Sequence, residues 1–206
     1  MQAATQYDIR TAITADVDAV TATLAAAFLD GDLAGWLIPD REERLAVYPD
    51  YFRMFAEFFL ERGQVDVTDD VNGVALWLPV GDQLELDIPD YDSRLAKICG
   101  TAVGRFVLLD MATGAHHPRK RPHHYLSHLA VHPTRQGHGV GSALLRHGHA
   151  RLDREGAAAY LEATGARTVR LYGRHGYRST TYPAPIPRGP DLFPMWRARR
   201  DRPRRP

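Results

Sequence analysis

The spacing of apolar and polar residues predicts secondary structure along most of the 206-residue chain. Tyr7–Ile13 alternates between the two classes and is predicted to form a short strand. Apolar residues spaced three and four apart then predict a helix that Asp16 caps and that ends at Asp30–Gly31. A second helix is predicted over Arg41–Glu61, where Pro49 should kink the helix or divide it in two. The chain is thus predicted to begin with one strand and two helices.

A hairpin and a further helix are predicted next. Val65–Thr68 and Val74–Val80 are apolar runs of strand length, and Asp69–Gly73 between them ends in an Asn-Gly pair typical of hairpin turns. Residues 82–89 are rich in acids and are predicted to form a loop. Tyr91–Asp110 has the apolar spacing of a helix.

The second half alternates strands and helices. After a loop at Thr113–Pro122 we predict a strand, a helix, a strand, a short helix and two strands, in the order His124–His132, Gly139–Glu155, Ala157–Ala163, Arg167–Arg174, Gly176–Tyr182 and Leu192–Ala198. This order is mixed α/β, and antiparallel pairs at its start fit one sheet better than two domains. A single domain is predicted over residues 1–198, with residues 199–206 as a disordered Arg- and Pro-rich tail.

The net charge is only +1, but the two halves of the chain carry opposite charge. Residues 1–100 hold 7 basic and 19 acidic residues, a net charge of −12. Residues 101–206 hold 19 basic and 6 acidic residues, a net charge of +13, and also all ten histidines. Such an asymmetry favours partners of opposite sign.

Three further features lead us to expect a cytoplasmic protein without a membrane partner. Cys99 is the single cysteine and has no partner for an internal disulfide. The first ten residues lack the basic-then-apolar pattern of a signal peptide. No apolar run approaches the roughly 18–20 residues that span a bilayer.

A glycine-rich turn is the most informative stretch of the sequence. The apolar strand that ends at Val131 is followed by Gly137, Gly139 and Gly141 and then directly by an amphipathic helix. Glycines let a ligand approach the backbone closely, and free N–H groups at a helix N-terminus bind phosphate. A nucleoside-triphosphate loop would need a lysine before Ser142, and a dinucleotide fold would place its third glycine later. A glycine-rich turn without a ligand is the remaining alternative.

This turn resembles the pyrophosphate loop of the GNAT superfamily of acyl-CoA-dependent N-acyltransferases. Gln136–Gly141 matches the family pattern Gln/Arg-x-x-Gly-x-Gly/Ala. Ala159–Ala163 and Leu171–Tyr177, which contains a Tyr-x-x-x-Gly-Tyr pattern, follow in the family's order. The resemblance covers residues 124–182 and implies a GNAT-like fold, with a mixed, mostly antiparallel central sheet flanked by helices.

The resemblance also implies acetyl-CoA as co-substrate and no metal ion. The residues that would hold acetyl-CoA are the end of the strand, the loop, the first helical turn and a threonine where the family often has asparagine: Leu129, Ala130, Val131, Gln136, Gly137, His138, Gly139, Val140, Gly141, Ser142 and Thr168.

Within the superfamily the sequence is most similar to puromycin N-acetyltransferase and its relatives. The shared segments are Thr23–Phe28, Val74–Trp77, His117–Lys120 and Leu161–Glu162. This similarity implies a small cationic amine as acceptor, such as an aminonucleoside or another antibiotic or metabolite amine, and with it antibiotic resistance. Residues 82–114, which would form much of the acceptor pocket, match weakly, so the acceptor stays open.

Two residues are candidates for catalysis. Tyr172 occupies the position of the family's acid, which protonates the departing thiolate, and a core tyrosine is the alternative. Glu162 is the only acid between Glu155 and Asp191 and lies on an apolar strand. It would take the proton of an ammonium substrate or hold the ammonium in place, and an ion pair with an arginine is the alternative.

The strand before the glycine-rich turn is the other source of candidate catalytic groups, and His128 is one of them. Relatives often carry glutamate or histidine where this chain has Tyr125, so the usual base is absent. By alternation Ser127 shares the face of Tyr125, while His124 and His128 are predicted on the other face. The six histidines between residues 116 and 132 lack ligand spacing on one element, and no metal site is predicted.

The acidic half supplies the predicted acceptor-binding residues. Apolar rings would enclose the acceptor and carboxylates would attract its amine, although core packing is the alternative for each ring. The predicted set is Phe28, Asp30, Trp36 and Trp77, joined by Tyr125 and Ser127, with Tyr51, Tyr91, Asp32 and Asp87 as further members. In the basic half, Arg135, Arg146 and Arg174 are candidates for contacts with CoA phosphates.

The sequence therefore predicts an N-acetyltransferase that acts by direct attack of a small-molecule amine on acetyl-CoA. Acetylation of protein N-termini or lysines and a non-catalytic acyl-CoA sensor are the alternatives. The Arg-rich tail lacks interleaved aromatic residues, so a nucleic-acid partner is not expected. Association into a homodimer stays open.

Overall fold

One open sheet of eight strands organises the computed structural model, which describes residues 7–180 and 183–200. The strands are β1 (Ile9–Thr11), β2 (Gln64–Thr68), β3 (Gly73–Val80), β4 (His123–Val131), β5 (Ala159–Ala163), β6 (Arg178–Ser179), β7 (Ala184–Pro185) and β8 (Asp191–Arg197). Their order is β1-β2-β3-β4-β5-β8-β6, and β7 pairs with β8. Among the described pairs, β4 and β5 are parallel and the others are antiparallel. The mixed, mostly antiparallel sheet predicted from the sequence is confirmed.

Seven helices cover the two faces of the described sheet. They are α1 (Val17–Phe28), α2 (Asp32–Leu37), α3 (Arg41–Arg62), α4 (Tyr91–Cys99), α5 (Val103–His116), α6 (Val140–Glu155) and α7 (Ala166–Arg174). Helices α1 to α5 share one apolar core with the first face, and α6 and α7 share a second core with the other. We call these the α3 face and the α6 face.

The hairpin of β2 and β3 and the helix stop at Gly63 follow the sequence prediction. Helix α3, in contrast, runs through Pro49 for 22 residues, so of the two predicted effects of Pro49 the division of the helix is wrong, and the kink stays a prediction. Proline deprives the carbonyl of Leu45 of its usual N–H partner. Leu45 and Pro49 are both exposed, so solvent can replace that partner, while the opposite side of α3 is held by buried aromatic rings.

Other elements differ from the predicted ones for local reasons. The helix predicted over Tyr91–Asp110 is divided by a single turn at Gly100–Ala102, where Gly100 has a φ of +50°. The second part, α5, continues to His116, beyond the predicted start of the loop. Asp16 does not cap α1, because its carboxylate accepts hydrogen bonds from the guanidinium of Arg10 and the amide of Ile13.

The short elements were missed because they are too brief to show a period. Helix α2 has six residues and β7 has two. The strand predicted over Gly176–Tyr182 is reduced to β6, and Tyr182 lies outside the described residues. The disordered tail and the domain boundary at residue 198 stay predictions, because residues 201–206 also lie outside the described part.

Strands β4 and β5 separate along their length. Their registered pairs are His124 with Ala159 and Tyr125 with Tyr160. Beyond these pairs β4 continues to Val131 and β5 to Ala163 without pairing to each other. The two central strands therefore open a gap in the sheet, and the glycine-rich turn lies at the end of one of them.

Candidate active site

The glycine-rich turn presents a row of free amides. Gly137 and Gly139 have φ values of +81° and +90°, which other residues rarely adopt, and Gly139 immediately precedes α6. Within the described residues, the backbone N–H groups of residues 137–142 have no hydrogen-bond acceptor. The Tyr7 hydroxyl donates to the His138 carbonyl at 2.8 Å, and the side-chain amide of Gln136 donates to the Val131 carbonyl at 3.1 Å. These two hydrogen bonds hold the loop in place. This arrangement fits a pyrophosphate.

A groove lined by arginines is linked to this loop through His175. Ser142 hydrogen bonds through Oγ to Nε2 of His175 at 3.0 Å, and His175 lines a groove of about 1100 Å³ between α6, α7 and β8. Its cationic lining residues are Arg121, Arg146, Arg174, Arg178, Arg197 and Arg200. Burial, followed by the charges of Arg146 and Arg174, lowers the pKa of His175. Arg135 lies outside this groove and pairs with Asp70 at 3.1 Å.

On the α3 face, a cavity of about 260 Å³ lies over β4 and β5. Much of its wall is aromatic, from Phe28, Tyr48, Tyr51, Phe52 and Phe55. Its carboxylates come from Asp30, Asp32, Asp110 and Glu162, and its other polar residues from the strands include Tyr125, Ser127 and His128. Four of the six predicted acceptor-binding residues, Phe28, Asp30, Tyr125 and Ser127, thus line one cavity. We refer to it as the acceptor cavity.

The prediction that His128 faces away from this site is wrong. The pairing of β3 with β4 joins Trp77 to Leu126 but Leu76 to His128, so Ser127 is an extra residue in β4. Such a β-bulge turns the following side chain to the opposite face. His128 therefore joins Tyr125 and Ser127 in the cavity wall, where its Nδ1 hydrogen bonds to Ser127 Oγ at 2.9 Å. Burial lowers the pKa of His128 to about 4, so its ring is neutral near pH 7.

Glu162 lies in the acceptor cavity with a nearly buried side chain. Its exposed fraction is 5%, and Oε1 lies 3.7 Å from Nδ1 of His117. Neither of these two atoms has a hydrogen-bond partner within the described residues. The neighbour of Glu162 is therefore a histidine rather than the arginine of the alternative interpretation.

Asp110 is a cavity carboxylate that the sequence interpretation missed. It lies on α5, accepts a hydrogen bond from the Tyr91 hydroxyl at 3.0 Å, and lines the acceptor cavity. Burial raises the pKa of Asp110 to about 6. A signal was present in the sequence, because Asp110 is the only acid between Asp92 and Asp153.

Tyr172 lies on the α6 face, on the other side of β5 from Glu162. Its ring packs with Leu161 and Ala163 and lies 5.7 Å from the ring of Tyr177. Its hydroxyl makes no hydrogen bond within the described residues, and burial raises the pKa of Tyr172. Because Glu162 alternates with Leu161 and Ala163, the two catalytic candidates approach the gap between β4 and β5 from opposite faces.

Two of the predicted acceptor-binding residues take other positions, whereas Thr168 keeps an oxygen free for its predicted contact. Trp77 is completely buried on the α6 face against Gly148 and His149, so its prediction as an acceptor-binding residue is wrong. Trp36 is also outside the acceptor cavity, with the Arg105 guanidinium 6.0 Å from its ring centre and Gly189 in contact with it. Thr168 donates its hydroxyl to the Gly165 carbonyl at 2.8 Å, which leaves its oxygen as an acceptor for a ligand.

Neither a metal cluster nor a membrane span is found in residues 7–180 and 183–200. No group of three or more histidine, cysteine, aspartate or glutamate side chains there could hold a metal ion. The described helices likewise include none that is long and apolar enough to cross a membrane.

The chain is similar to known acetyltransferases in sequence and in structure. The family model described as acetyltransferase (GNAT) domain matches residues 94–179. A Corynebacterium glutamicum protein described as histone acetyltransferase HPA2 and related acetyltransferase is 31% identical, with a TM-score of 0.72 over 95% of this chain and 98% of that one.

More distant structures share the fold. A mosquito arylalkylamine N-acetyltransferase-like protein is 16% identical, with a TM-score of 0.57 over 93% of this chain and 98% of that chain. The ribosomal-protein-S18-alanine N-acetyltransferase of Escherichia coli is 18% identical, with a TM-score of 0.56 over 97% of each chain. From the match to the domain model and the similarity over nearly the whole chain, we conclude that this protein belongs to the GNAT family and is an acyl-CoA-dependent N-acetyltransferase.

Proposed function

We propose that the enzyme acetylates the primary amine of a small cationic molecule with an apolar or aromatic body. The acceptor cavity carries this proposal, because it combines an aromatic wall with the carboxylates of Asp110 and Glu162. Rings provide apolar contact and cation–π attraction, and carboxylates bind the ammonium group. An amine from an antibiotic, as in puromycin N-acetyltransferase and its relatives, belongs to this class and would make the enzyme a resistance factor in the cytoplasm.

The size of the cavity narrows the acceptor class. Its volume of about 260 Å³ is below the range of roughly 300–1,000 Å³ that is usual for drug-sized ligands. An amine with one ring fits this volume, whereas an aminonucleoside would have to extend through the mouth beside Asp30 and Asp32. The similarity in fold to an arylalkylamine N-acetyltransferase-like protein and to agmatine N-acetyltransferase supports a small amine as acceptor.

The donor side of the site would be built by the glycine-rich turn. When bound, acetyl-CoA supplies the thioester and a thiol leaving group. The free amides of residues 137–142, at the positive end of α6, would hold its pyrophosphate. Leu129, Ala130 and Val131, at the unpaired edge of β4, would line the path of its pantetheine arm.

The reaction needs two proton transfers, and Glu162 and Tyr172 would carry them out from opposite faces of the sheet. Glu162 would take a proton from the ammonium of the acceptor, which leaves a neutral nucleophile. Tyr172 would hold the proton that the departing sulfur needs. Its raised pKa keeps the phenol protonated throughout the neutral range.

A thiol-release assay across an amine library tests this function. We expect release of CoA with arylalkylamines and other small hydrophobic amines, and less with aminoglycosides, which are larger and polar. The library should include aminonucleosides, which test the similarity to the puromycin enzymes. Binding of CoA in calorimetry without thiol release for any amine would contradict the proposal and favour a sensor. Acetylated proteins found by mass spectrometry, without small-molecule turnover, would favour a protein acetyltransferase.

Asp110→Asn is expected to weaken binding of the acceptor without a comparable effect on kcat. In the wild type, KM for the amine should fall as pH rises through about 6, because Asp110 becomes charged there. The variant should show a higher KM, by roughly tenfold, and little dependence on pH in that range. Asp92→Asn, which removes an exposed carboxylate of α4 outside the cavity, serves as the control. An unchanged KM would remove Asp110 from the acceptor site.

Replacing both Arg146 and Arg174 with glutamine is expected to raise KM for acetyl-CoA several-fold. Both line the groove that His175 links to the glycine-rich turn, where a cationic potential favours the anionic co-substrate. The difference from wild type should shrink as NaCl is raised, because salt screens exposed charges. The matched control is Arg62→Gln, at the end of α3, where Arg62 pairs with Glu61. Equal KM values in low salt would contradict the role.

A further inference from the structure

Two buried histidines extend from the acceptor cavity through the protein. His117 follows α5 and His123 begins β4, and they are only 6% and 3% exposed. Their Nε2 atoms lie 3.0 Å apart, and Nδ1 of His117 faces Glu162 Oε1 at 3.7 Å. At the far end, Nδ1 of His123 lies 2.7 Å from the carbonyl oxygen of Arg121. These four groups form a polar line with two hydrogen bonds and one gap of 3.7 Å, between Glu162 and His117.

The direction of each hydrogen bond in this line can be worked out. The Arg121 carbonyl can only accept, so His123 carries a proton on Nδ1. Burial lowers the pKa of His123 to about 4, so near pH 7 the ring is neutral and its Nε2 has no proton. The Nε2 of His117 must then be the donor in the bond between the two rings.

At the other end of the line, Nδ1 of His117 and Oε1 of Glu162 have room for one proton between them. If His117 were neutral and Glu162 ionised, an unprotonated nitrogen would face a carboxylate oxygen in a buried place. Both atoms lack any other partner within the described residues. Such an arrangement of two acceptors is costly, whereas a single proton between them satisfies both atoms. One proton taken from the acceptor would therefore be stabilised by both atoms of the Glu162–His117 contact.

The outer end of the line reaches a second opening of the protein. His123 lines a groove of about 690 Å³, together with Arg121, Pro122 and His124. His117 and Glu162 do not line that groove, and His123 does not line the acceptor cavity. We call this second opening the outer groove. The two histidines thus connect it with the acceptor cavity.

Aromatic rings insulate the connection. The rings of Tyr125 and Tyr160 each lie 4.8 Å from that of His117, and Trp196 lies 5.3 Å from His123. Among the described groups, the charges that act on His123 are those of His117, His124 and Arg121, and Glu162 is the carboxylate that acts on Tyr125 and Tyr160. Tyr125 and Tyr160 also interact with Glu162, but neither lines the groove beside His123, so among the described residues the histidines are the polar path between the two compartments.

We infer that His117 and His123 form a proton relay that carries the proton taken up by Glu162 from the acceptor cavity to the outer groove. The relay rests on the proposed role of Glu162 as the base. It explains how a deeply placed base can be recycled while the acceptor itself fills the cavity mouth.

The proton count of one transfer balances. An N–H bond of the ammonium breaks and an O–H bond forms on Glu162. That O–H bond then breaks as the proton moves to Nδ1 of His117, which returns Glu162 to its carboxylate form. His117 passes its Nε2 proton to Nε2 of His123, and His123 releases its Nδ1 proton to a buffer base in the groove. One proton enters the line and one leaves it, and no group is oxidised or reduced. Tautomer exchange of the two neutral rings between turnovers restores the starting arrangement.

Removal of His123 followed by chemical rescue tests the relay. His123→Ala should lower kcat about tenfold at pH 7, and added imidazole, which can enter the groove, should restore it in a concentration-dependent way. The control is His124→Ala: His124 lies on the other face of β4, where its Nε2 is 3.3 Å from Glu155 Oε2. That variant should keep its kcat and show no response to imidazole. A structural role of His123 would not produce rescue in a folded variant.

Two outcomes would overturn the relay. One is an unchanged kcat of His123→Ala across pH 6–9, and the other is a loss that imidazole does not reverse while circular dichroism shows an intact fold. A Glu162→Gln variant with full activity would instead contradict the proposed base.

Nuclear magnetic resonance of ¹⁵N-histidine-labelled protein measures the tautomers of His117 and His123 without substrate, and so tests the line independently of acetyl transfer. It should show His123 as the neutral Nδ1–H tautomer and His117 protonated at Nε2. A His123 protonated at Nε2 alone would overturn the relay even if acetyl transfer is confirmed.

Discussion

Tyr172→Phe is expected to lower kcat about a hundredfold while the protein keeps its fold. The substitution removes one hydroxyl, which makes no hydrogen bond within the described residues, so the ring can keep its packing against Leu161 and Ala163. What is lost is the proton source for the departing thiolate. The thiol-release assay at saturating substrates measures the effect, and the melting temperature should change little.

Tyr177→Phe is the matched control for this experiment. Its ring lies 5.7 Å from that of Tyr172, and its hydroxyl hydrogen bonds to Nε2 of His149 at 3.1 Å. Loss of this buried bond should cost about 1 kcal/mol of stability and leave kcat nearly unchanged. The two variants should therefore show opposite patterns. A near-normal kcat for Tyr172→Phe would mean that the tyrosine only packs in the core.

Glu162→Gln is expected to reduce kcat/KM for the amine by about two orders of magnitude at pH 7. Glutamine keeps the shape of the side chain but cannot take a proton from the ammonium. The variant should then depend on the amine that is already neutral in solution, a fraction that rises tenfold for each pH unit below the pKa of the amine. Its activity should accordingly increase with pH until it approaches that of the wild type.

The pH dependence separates a base from a residue that only binds the ammonium. If Glu162 merely held the cation, the loss would appear in KM and would not be repaired at high pH. Glu155→Gln is the control, because Glu155 is paired with His124 on the α6 face and lies outside the acceptor cavity. Equal profiles for Glu162→Gln and the wild type would contradict the proposed base.

Features that depend on neighbours in the chain could be predicted well. The strand, glycine-rich turn and helix that end β4 and begin α6 were placed within one residue of their observed bounds. Gly137 and Gly139 do adopt positive φ angles, and the turn leaves its amides free. These properties arise from backbone geometry over a few residues, which the residue types alone specify.

Features that depend on the register between strands could not be predicted. Strict alternation along β4 placed His128 on the wrong face, because the bulge at Ser127 is visible only in its pairing with β3. In the same way, Trp77 faces α6 because of where β3 lies in the sheet, although an apolar strand suits either face. A one-residue change of register reverses every face, and local sequence does not encode it.

The opposite charges of the two halves are a property of the sequence alone. The acidic half supplies Asp30 and Asp32 to the acceptor cavity, and also Tyr91, whose hydroxyl donates to Asp110. The basic half supplies the glycine-rich turn and the groove lined by arginines. Asp110 itself belongs to the basic half, and only folding places it among the rings of the acidic half. The overall sign of each compartment was thus predictable, whereas the place of Asp110 in the acceptor cavity was not.

The sequence by itself determined the family, the glycine-rich turn and the two catalytic candidates, because each depends on short patterns of residue types. The tertiary structure alone decided that Glu162 and Tyr172 lie on opposite sides of β5 and that His117 lies beside Glu162. The physical reason is distance along the chain: His117 follows α5 and Glu162 lies on β5, so only the packing of distant segments brings them together, and no local pattern specifies it.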